Sequence, residues 1–524
     1  MYSVSSVVCL ISVVAVGAEA TDWPSFRNGP ANAAACRWSP TTPDEAVREW
    51  SFRGRPGTRY RPGVTAWASP ALTVVAGRPM AFIGGFDQTM HALDLLSKEE
   101  RWAKITGGPI AESPAVGLVD GEAVVFWGSA DRHVYACYAD SRGAGDGRKL
   151  WSPRELIPAT STMSEAQLSA PLLHRGTLYI SCFAYDRAMG RSEQQGWLVA
   201  LDMQTGRELW RRAAAPGMLS SPTGAEVDGR FTVFLAARRG LLQAFDVSGS
   251  APRPLWHYQM PHEVLGSPAI DADPASPRVF LGSKFGNLIA LDARTGKELW
   301  KRMAGNWIDN SACVGEVNGV RAVFAGSHDY NLWAFRASDG QVLWKRPLGG
   351  EVYSAPAYFR GGEGRGAGDG KEEDDGGEDS DSASPPAPRP SPQSLLAVAA
   401  LDNHLYVLEA DTGRVVTSYF TGKPMWDKVA KGEVLWGSPA ALEAGSETAL
   451  VHGSFNGEVY VMPLDGECGL RTKVQSAATL WWGLAVTAAL FVGVVLPAVL
   501  WGTRARSPQR ARRGAEDASS KVRR

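Results

Sequence analysis

A chain of 524 residues with 44% hydrophobic and 21% charged residues can bury a large core, and its length exceeds an ordinary single domain unless the fold is repetitive. A formal net charge of -1 gives no reason to expect nucleic acid or anionic substrates as general partners. The 57 glycines and 19 tryptophans suit many short strands and tight turns, so an all-β chain is expected.

Residues 4–16 are apolar apart from serines, and Ala18-Glu19-Ala20 offers a small-x-small cleavage site, so residues 1–20 read as a signal peptide. No Lys or Arg lies near Met1, which leaves an uncleaved anchor as the alternative.

From there the chain is periodic. ALDMQTGRELW (200–210), ALDARTGKELW (290–300) and AFRASDGQVLW (334–344) are near copies. Upstream of each comes a small-residue strand with Ser-Pro or Ala-Pro. Its proline recurs at Pro70, Pro114, Pro171, Pro222, Pro268, Pro356 and Pro439, with Ala312 in the same place, which makes eight units. Their successive spacings are 44, 57, 51, 46, 44, 44 and 83 residues, and the basic step is that of a four-stranded propeller blade. Unit five parses most cleanly, into strands over 267–270, 278–282, 288–291 and 297–301. Asp131-Arg132, Asp402-Asn403 and similar pairs mark the second-to-third turns, and Asp-x-x-Thr-Gly marks the third-to-fourth. Trp102, Trp151, Trp210, Trp256, Trp300 and Trp344 recur at one place on the outer strand, where a large ring most simply wedges between blades.

The pattern Ala-x-Asp-x-x-Thr-Gly-Lys-x-x-Trp resembles the tryptophan-docking repeat of the propeller superfamily named for pyrroloquinoline quinone (PQQ) enzymes. The opening Asp22-Trp23-Pro24-Ser25-Phe26-Arg27 is similar to the N-terminal signature of its non-catalytic bacterial members. The resemblance runs from Asp22 to Leu464. It implies an eight-bladed β-propeller over residues 21–472, and it leaves activity open, because the superfamily holds dehydrogenases, assembly lipoproteins and stress-sensor domains. Unit eight lacks a Trp-bearing fourth strand, while Val47-Arg48-Glu49-Trp50-Ser51 looks like an orphan one. The N-terminal strand is therefore expected to close the last blade, with Trp50 as its docking ring.

Two further segments stand outside the repeats. Residues 360–393, with GGEGRGAGDGKEEDDGGEDSDSASPPAPRPSPQ at their heart, are acidic, proline-rich and nearly free of apolar residues, which reads as a disordered insertion in unit seven. Residues 480–501 are apolar, uncharged, bordered by Trp481, Trp482 and Trp501, and followed by five arginines. They read as a transmembrane helix with a basic cytoplasmic tail, 502–524, giving a single-pass type I protein of the secretory pathway, in the endoplasmic reticulum or plasma membrane, with a bacterial periplasmic setting also open.

The chemistry is mostly defined by what is missing. A quinone dehydrogenase of the resembled superfamily implies adjacent cysteines, a carboxylate and an Asn on Ca²⁺, and an Asp base. Here Cys36, Cys137, Cys182, Cys313 and Cys468 are far apart and no C-x-x-C-H haem motif occurs. Cys36 and Cys468 both flank the closing blade and could form a terminal disulfide. Asp87, Asp131, Asp329 and Asp402 sit in hairpins where Asp serves local bonding, and His91, His133, His328 and His404 are read as structural or surface residues. One constellation is kept. Trp67, Asp309, Tyr353 and Trp436 lie two residues before the Ser-Pro position, with Trp307 nearby, and could form a binding funnel at the channel mouth. Plugging or inter-blade packing is the plainer role.

The expected function is a membrane-tethered, non-enzymatic scaffold or sensor for protein partners, without cofactor or metal; the alternative is an oxidoreductase holding PQQ and Ca²⁺ in the central funnel. Limited proteolysis of solubilised protein, read by mass spectrometry, should cut first between Gly361 and Gln393, because disordered loops are nicked before blades.

Overall fold

The computed structural model describes residues 35–38, 50–53, 68–141, 146–158, 163–186, 195–214, 220–360, 394–420, 438–444, 447–453 and 458–464. The signal segment, most of the acidic insertion, the apolar segment 480–501, Cys468, Trp67 and Trp436 lie outside the described residues.

The strands gather into eight sheets, one per sequence unit, each ordered from an inner strand outward. Blade five shows the pattern, with Ala269–Asp271, Arg278–Gly282, Asn287–Asp292 and Glu298–Met303 paired antiparallel in sequence order. In blade two the outer strand shrinks to Arg154–Glu155, and in blade three the inner strand splits into Met163–Leu168 and Leu172–His174 along the long partner Thr177–Asp186.

Blade eight takes its outer strand from the N-terminal part of the chain. Trp50–Arg53 pairs antiparallel with Glu458–Leu464, bringing Trp50 opposite Val461 and Phe52 opposite Val459. A strand the sequence reading did not anticipate, Ala35–Trp38, pairs parallel with the inner strand Ala440–Ala444 on its axial edge and reaches the inner strands of blades one and seven. Ala440–Ala444 and Glu458–Leu464 are thus each covered by an N-terminal strand.

Neighbouring blades are locked at two radii. Near the axis, Ser-Pro hydroxyls accept backbone N–H bonds from the preceding blade. Ser69 N–H donates to Ser113 Oγ at 3.1 Å, Ser267 N–H to Ser311 Oγ at 2.7 Å, and Ser438 N–H to Ser69 Oγ at 2.7 Å, this last bond joining blade eight to blade one. Farther out, the docking indoles Trp102, Trp151, Trp256, Trp300 and Trp344 donate from Nε1 to the carbonyls of Ala139, Met203, Ala293, Ala337 and Ala410 in the following blade, at 2.9 to 3.1 Å. Trp210 packs on Tyr179, with ring centroids 5.8 Å apart.

The rings of Trp102, Trp151, Trp256, Trp300 and Trp344 also lie against the turn glycine of the next blade. A Cβ built on Gly340 would stand 2.6 Å from Trp300, and Gly340 holds a φ of +71°, so space and backbone both demand glycine there. Asp292 shows the companion role of the turn carboxylate. Its Oδ1 accepts from the Arg294 and Thr295 N–H groups and from the Thr295 hydroxyl.

Gly340→Ala should cost about 2 kcal/mol or more in denaturant unfolding, from backbone strain plus the displaced indole. Gly319→Ala, whose φ of +74° is similar but whose Cβ would meet nothing within 4 Å, should cost only about 1 kcal/mol. Equal losses would mean that the indole clamp contributes nothing.

Candidate site on the connector face of blades five to seven

Because the strands run up and down, each blade offers one face with the start of its inner strand, the second-to-third hairpin and the connector from the preceding outer strand. The Thr-Gly turns lie on the opposite face. On the connector face the hairpin aspartates bond locally. Asp131, Asp329 and Asp402 accept from the N–H groups of His133, Asn331 and His404 at 3.0 to 3.1 Å. They also reach across blades, where Asp131 Oδ2 accepts from Gly107 N–H at 2.7 Å and Asp329 Oδ2 from Gly305 N–H at 3.2 Å. His91 is buried between Asp87 and Glu100. Burial works against its charge, but the two carboxylates outweigh it and hold its pKa above the ordinary value. These groups serve the framework.

Asp309, Trp307 and Tyr353 are brought together, and His328 sits between them. Trp307 and Asp309 lie in the connector from blade five to six, His328 at the end of the second strand of blade six, and Tyr353 in the connector to blade seven. The His328 ring is 3.9 Å from the Tyr353 ring and 5.6 Å from that of Trp307, and its Nε2 is 3.6 Å from Asp309 Oδ2, beyond hydrogen-bond reach. The imidazole is only 4% exposed, while Trp307 is 44% exposed. Three polar atoms here are buried without a hydrogen-bond partner among the described residues: Asp309 Oδ1, Asn310 Oδ1 and His328 Nε2. Each such atom ordinarily costs about 1–3 kcal/mol.

From sequence alone His328 reads as a structural or surface residue. The signal that would have exposed it is its place before the hairpin Asp, which blades two and seven fill with Ala130 and Leu401.

The electrostatics follow from burial. Asp309 is pushed up to about 6, first by burial, with Glu263 and Glu351 adding to it and Lys284 and Arg238 opposing it. His328 is lowered to about 4, first by burial and then by Lys284. Tyr353 is raised by burial and by Glu351. Lys284 and Arg238 lean on Glu263, with closest N···O distances of 3.5 and 3.6 Å, and the Lys284 ammonium stands 5.2 Å from the Trp307 ring centre. Around this cluster the surface is aromatic and apolar, with Leu265, Phe285, Met303 and Tyr330 all exposed on the same face.

Comparisons with known proteins agree on the fold. The family model described as outer membrane protein assembly factor BamB matches residues 50–274 and 272–362. A serine/threonine-protein kinase, AfsK, of Streptomyces griseus is 30% identical over 294 residues, covering 50% of this chain and 32% of the kinase. The outer membrane protein assembly factor BamB of Nitrosomonas eutropha is 32% identical over 137 residues, covering 26% of this chain and 28% of that protein. The chain therefore spans less than a third of each of these relatives. Among solved structures, the quinohemoprotein alcohol dehydrogenase of Comamonas testosteroni superposes with a TM-score of 0.54 at 12% identity, over 84% of this chain and 80% of the enzyme, a likeness of fold alone.

The two buried groups pull stability in opposite directions as pH changes. Native Asp309 keeps its proton from the unfolded value of 3.8 up to about 6, so its contribution is lost as pH rises through that window, by roughly 2–3 kcal/mol. Native His328 stays neutral down to about 4 against 6.5 when unfolded, so its contribution is gained over nearly the same window. Asp309→Asn should therefore unmask a rise in unfolding free energy between pH 4 and 6 that the parent protein largely cancels. Parallel pH profiles for the two proteins would contradict this.

Proposed function

The chain belongs to the family described as outer membrane protein assembly factor BamB, within the PQQ-like propellers, and from that membership and the geometry of blades five to seven we propose that it is a non-enzymatic protein-binding scaffold or sensor. In this reading residues 480–501 tether an exported propeller to a membrane as a single-pass type I protein, with its connector face free for a partner. The observation that carries it is the gathering of Trp307, Phe285, Tyr330, Met303 and Leu265, all exposed, around buried and incompletely bonded polar groups. Aromatic residues and Met are the residue types that anchor protein interfaces. The assembly role named for the bacterial relative fits a protein-binding role.

The second reading, a quinone oxidoreductase, rests on the fold likeness to the alcohol dehydrogenase. The residues present do not fit a quinone with Ca²⁺. Cys137, Cys182 and Cys313 are buried in blades two, three and six, far from any adjacent pair. Among the described residues no three His, Cys, Asp or Glu side chains are grouped to hold a metal ion. The hairpin carboxylates are engaged by backbone N–H groups, and Ala35–Trp38 lies on the axial side of blade eight, where a funnel cofactor needs room.

Photo-crosslinking in native membranes from positions 285 and 330 should capture a discrete partner, and Trp307→Ala should weaken that capture by about 2 kcal/mol or more while leaving the fold intact. Leu118→Ala, at an exposed position on the opposite face, should leave it unchanged. Saturable Ca²⁺-dependent PQQ binding with turnover of an alcohol would reverse the assignment.

A further inference from the structure

The partner-binding reading leaves the chemistry of recognition open, and the cluster at Asp309 narrows it. Resting on that reading, we propose that the unbonded acceptors of Asp309, Asn310 and His328, beside Trp307 and Tyr353, make an arginine slot, receiving an arginine side chain of the bound partner.

The inference starts from hydrogen-bond capacity. Asp309 Oδ1 and Asn310 Oδ1 can only accept, and His328 Nε2 accepts in the tautomer that carries its proton on Nδ1. All three are buried with no partner. The Asn310 amide is fixed by donating from Nδ2 to the Gly326 and Val352 carbonyls, each at 3.0 Å, so its oxygen is not free to swing away. A visiting group that satisfies several acceptors at once must be rich in donors. Guanidinium carries five N–H donors in a plane and no acceptor.

The charge balance points the same way. On this part of the face, Lys284 and Arg238 are matched to Glu263, and Lys345 to Asp329 with a closest distance of 3.7 Å. Together with Asp309 and Glu351 these groups count four carboxylates against three cations, an excess of one negative charge, and Lys284 and Arg238 only partly offset the burial of Asp309. The flanking rings favour a cation too, because guanidinium stacks on aromatic faces. Lys284 already holds an ammonium over the Trp307 ring, and the His328 ring bridges Trp307 and Tyr353. A lysine would supply the charge but not the planar spread of donors.

The test uses the full chain in detergent, titrated with the acetylated, amidated tripeptide Gly-Arg-Gly and with its citrulline counterpart, which keeps the shape and loses the charge. Binding is read calorimetrically. The arginine peptide should saturate, and the citrulline peptide should bind at least about tenfold more weakly. Asp309→Asn should weaken the arginine peptide by about tenfold or more without lowering the melting temperature, since it removes a buried carboxylate that lacks a partner. Trp307→Ala, at an exposed ring, should also weaken it. Equal binding of the two peptides, no binding of the arginine peptide at millimolar concentration, or an unchanged affinity in Asp309→Asn would each overturn the slot. If the crosslinked partner depends on Trp307 while the arginine peptide fails, the slot falls and the partner reading stands. If the arginine peptide binds through Asp309 while crosslinking from the face captures nothing, the slot stands and that reading falls.

Discussion

Everything in this fold depends on one blade being held against the next at a fixed angle, because a ring of eight closes only if the small rotations add to a full turn. Two sets of hydrogen bonds set that angle. The Ser-Pro hydroxyls bind the neighbouring backbone close to the axis, and the docking indoles bind neighbouring carbonyls farther out. Where both are made, as between blades one and two and between blades five and six, a blade can neither slide nor splay. The glycine beneath a docking indole then follows from geometry: Gly296 and Gly340 must present bare backbone, since a Cβ would stand 2.5 or 2.6 Å from Trp256 or Trp300.

Closure extends the same logic to the chain ends. An open blade eight would expose ladder groups on its inner and outer edges, and the chain spends its N-terminal residues on both, Trp50–Arg53 outside and Ala35–Trp38 inside. The outer strand was legible because Trp50 keeps the docking position of the repeat. The inner one was not. Among the described residues it has no counterpart in the other seven units, it pairs parallel, and a four-residue strand without periodicity carries no pattern for a reader of sequence to count. The split inner strand of blade three escaped for a related reason, since local propensity cannot reveal a break that only the long partner Thr177–Asp186 makes possible.

The site was partly legible. Aligning the units placed Asp309 and Tyr353 at equivalent positions, and equivalent positions in neighbouring blades of a ring must be neighbours in space. His328 belongs to a different place in the repeat, before the hairpin Asp, so alignment alone could not bring it to Asp309. What joined them is the crossing of the connector over the hairpin, visible in the bond from His328 N–H to the Trp307 carbonyl at 2.9 Å. The orphaned atoms were out of reach altogether, because burial without a partner depends on packing that sequence pattern does not encode.

The repeat also explains why the site lies where it does. The residue two before each Ser-Pro position runs Trp67, Ala111, Leu168, Leu219, Leu265, Asp309, Tyr353 and Trp436 around the ring. Four consecutive blades carry an aliphatic side chain there, and the other four carry a ring or an acid. A scaffold needs only the former, since aliphatic packing suffices to hold a connector against its hairpin. The departures fall together in blades six to eight and one, and in blade six they coincide with Ala312 in the proline's place. A repeat protein keeps its consensus where neighbours must match and gives it up where one surface must differ from the rest. An acid, a buried imidazole and aromatic rings cluster where blade six breaks the pattern, while its docking indole Trp344 and its belt residue Ser311 remain in place. The ring's mechanics and its recognition face thus draw on different positions of the same repeat, so the face can change its chemistry without loosening the closure.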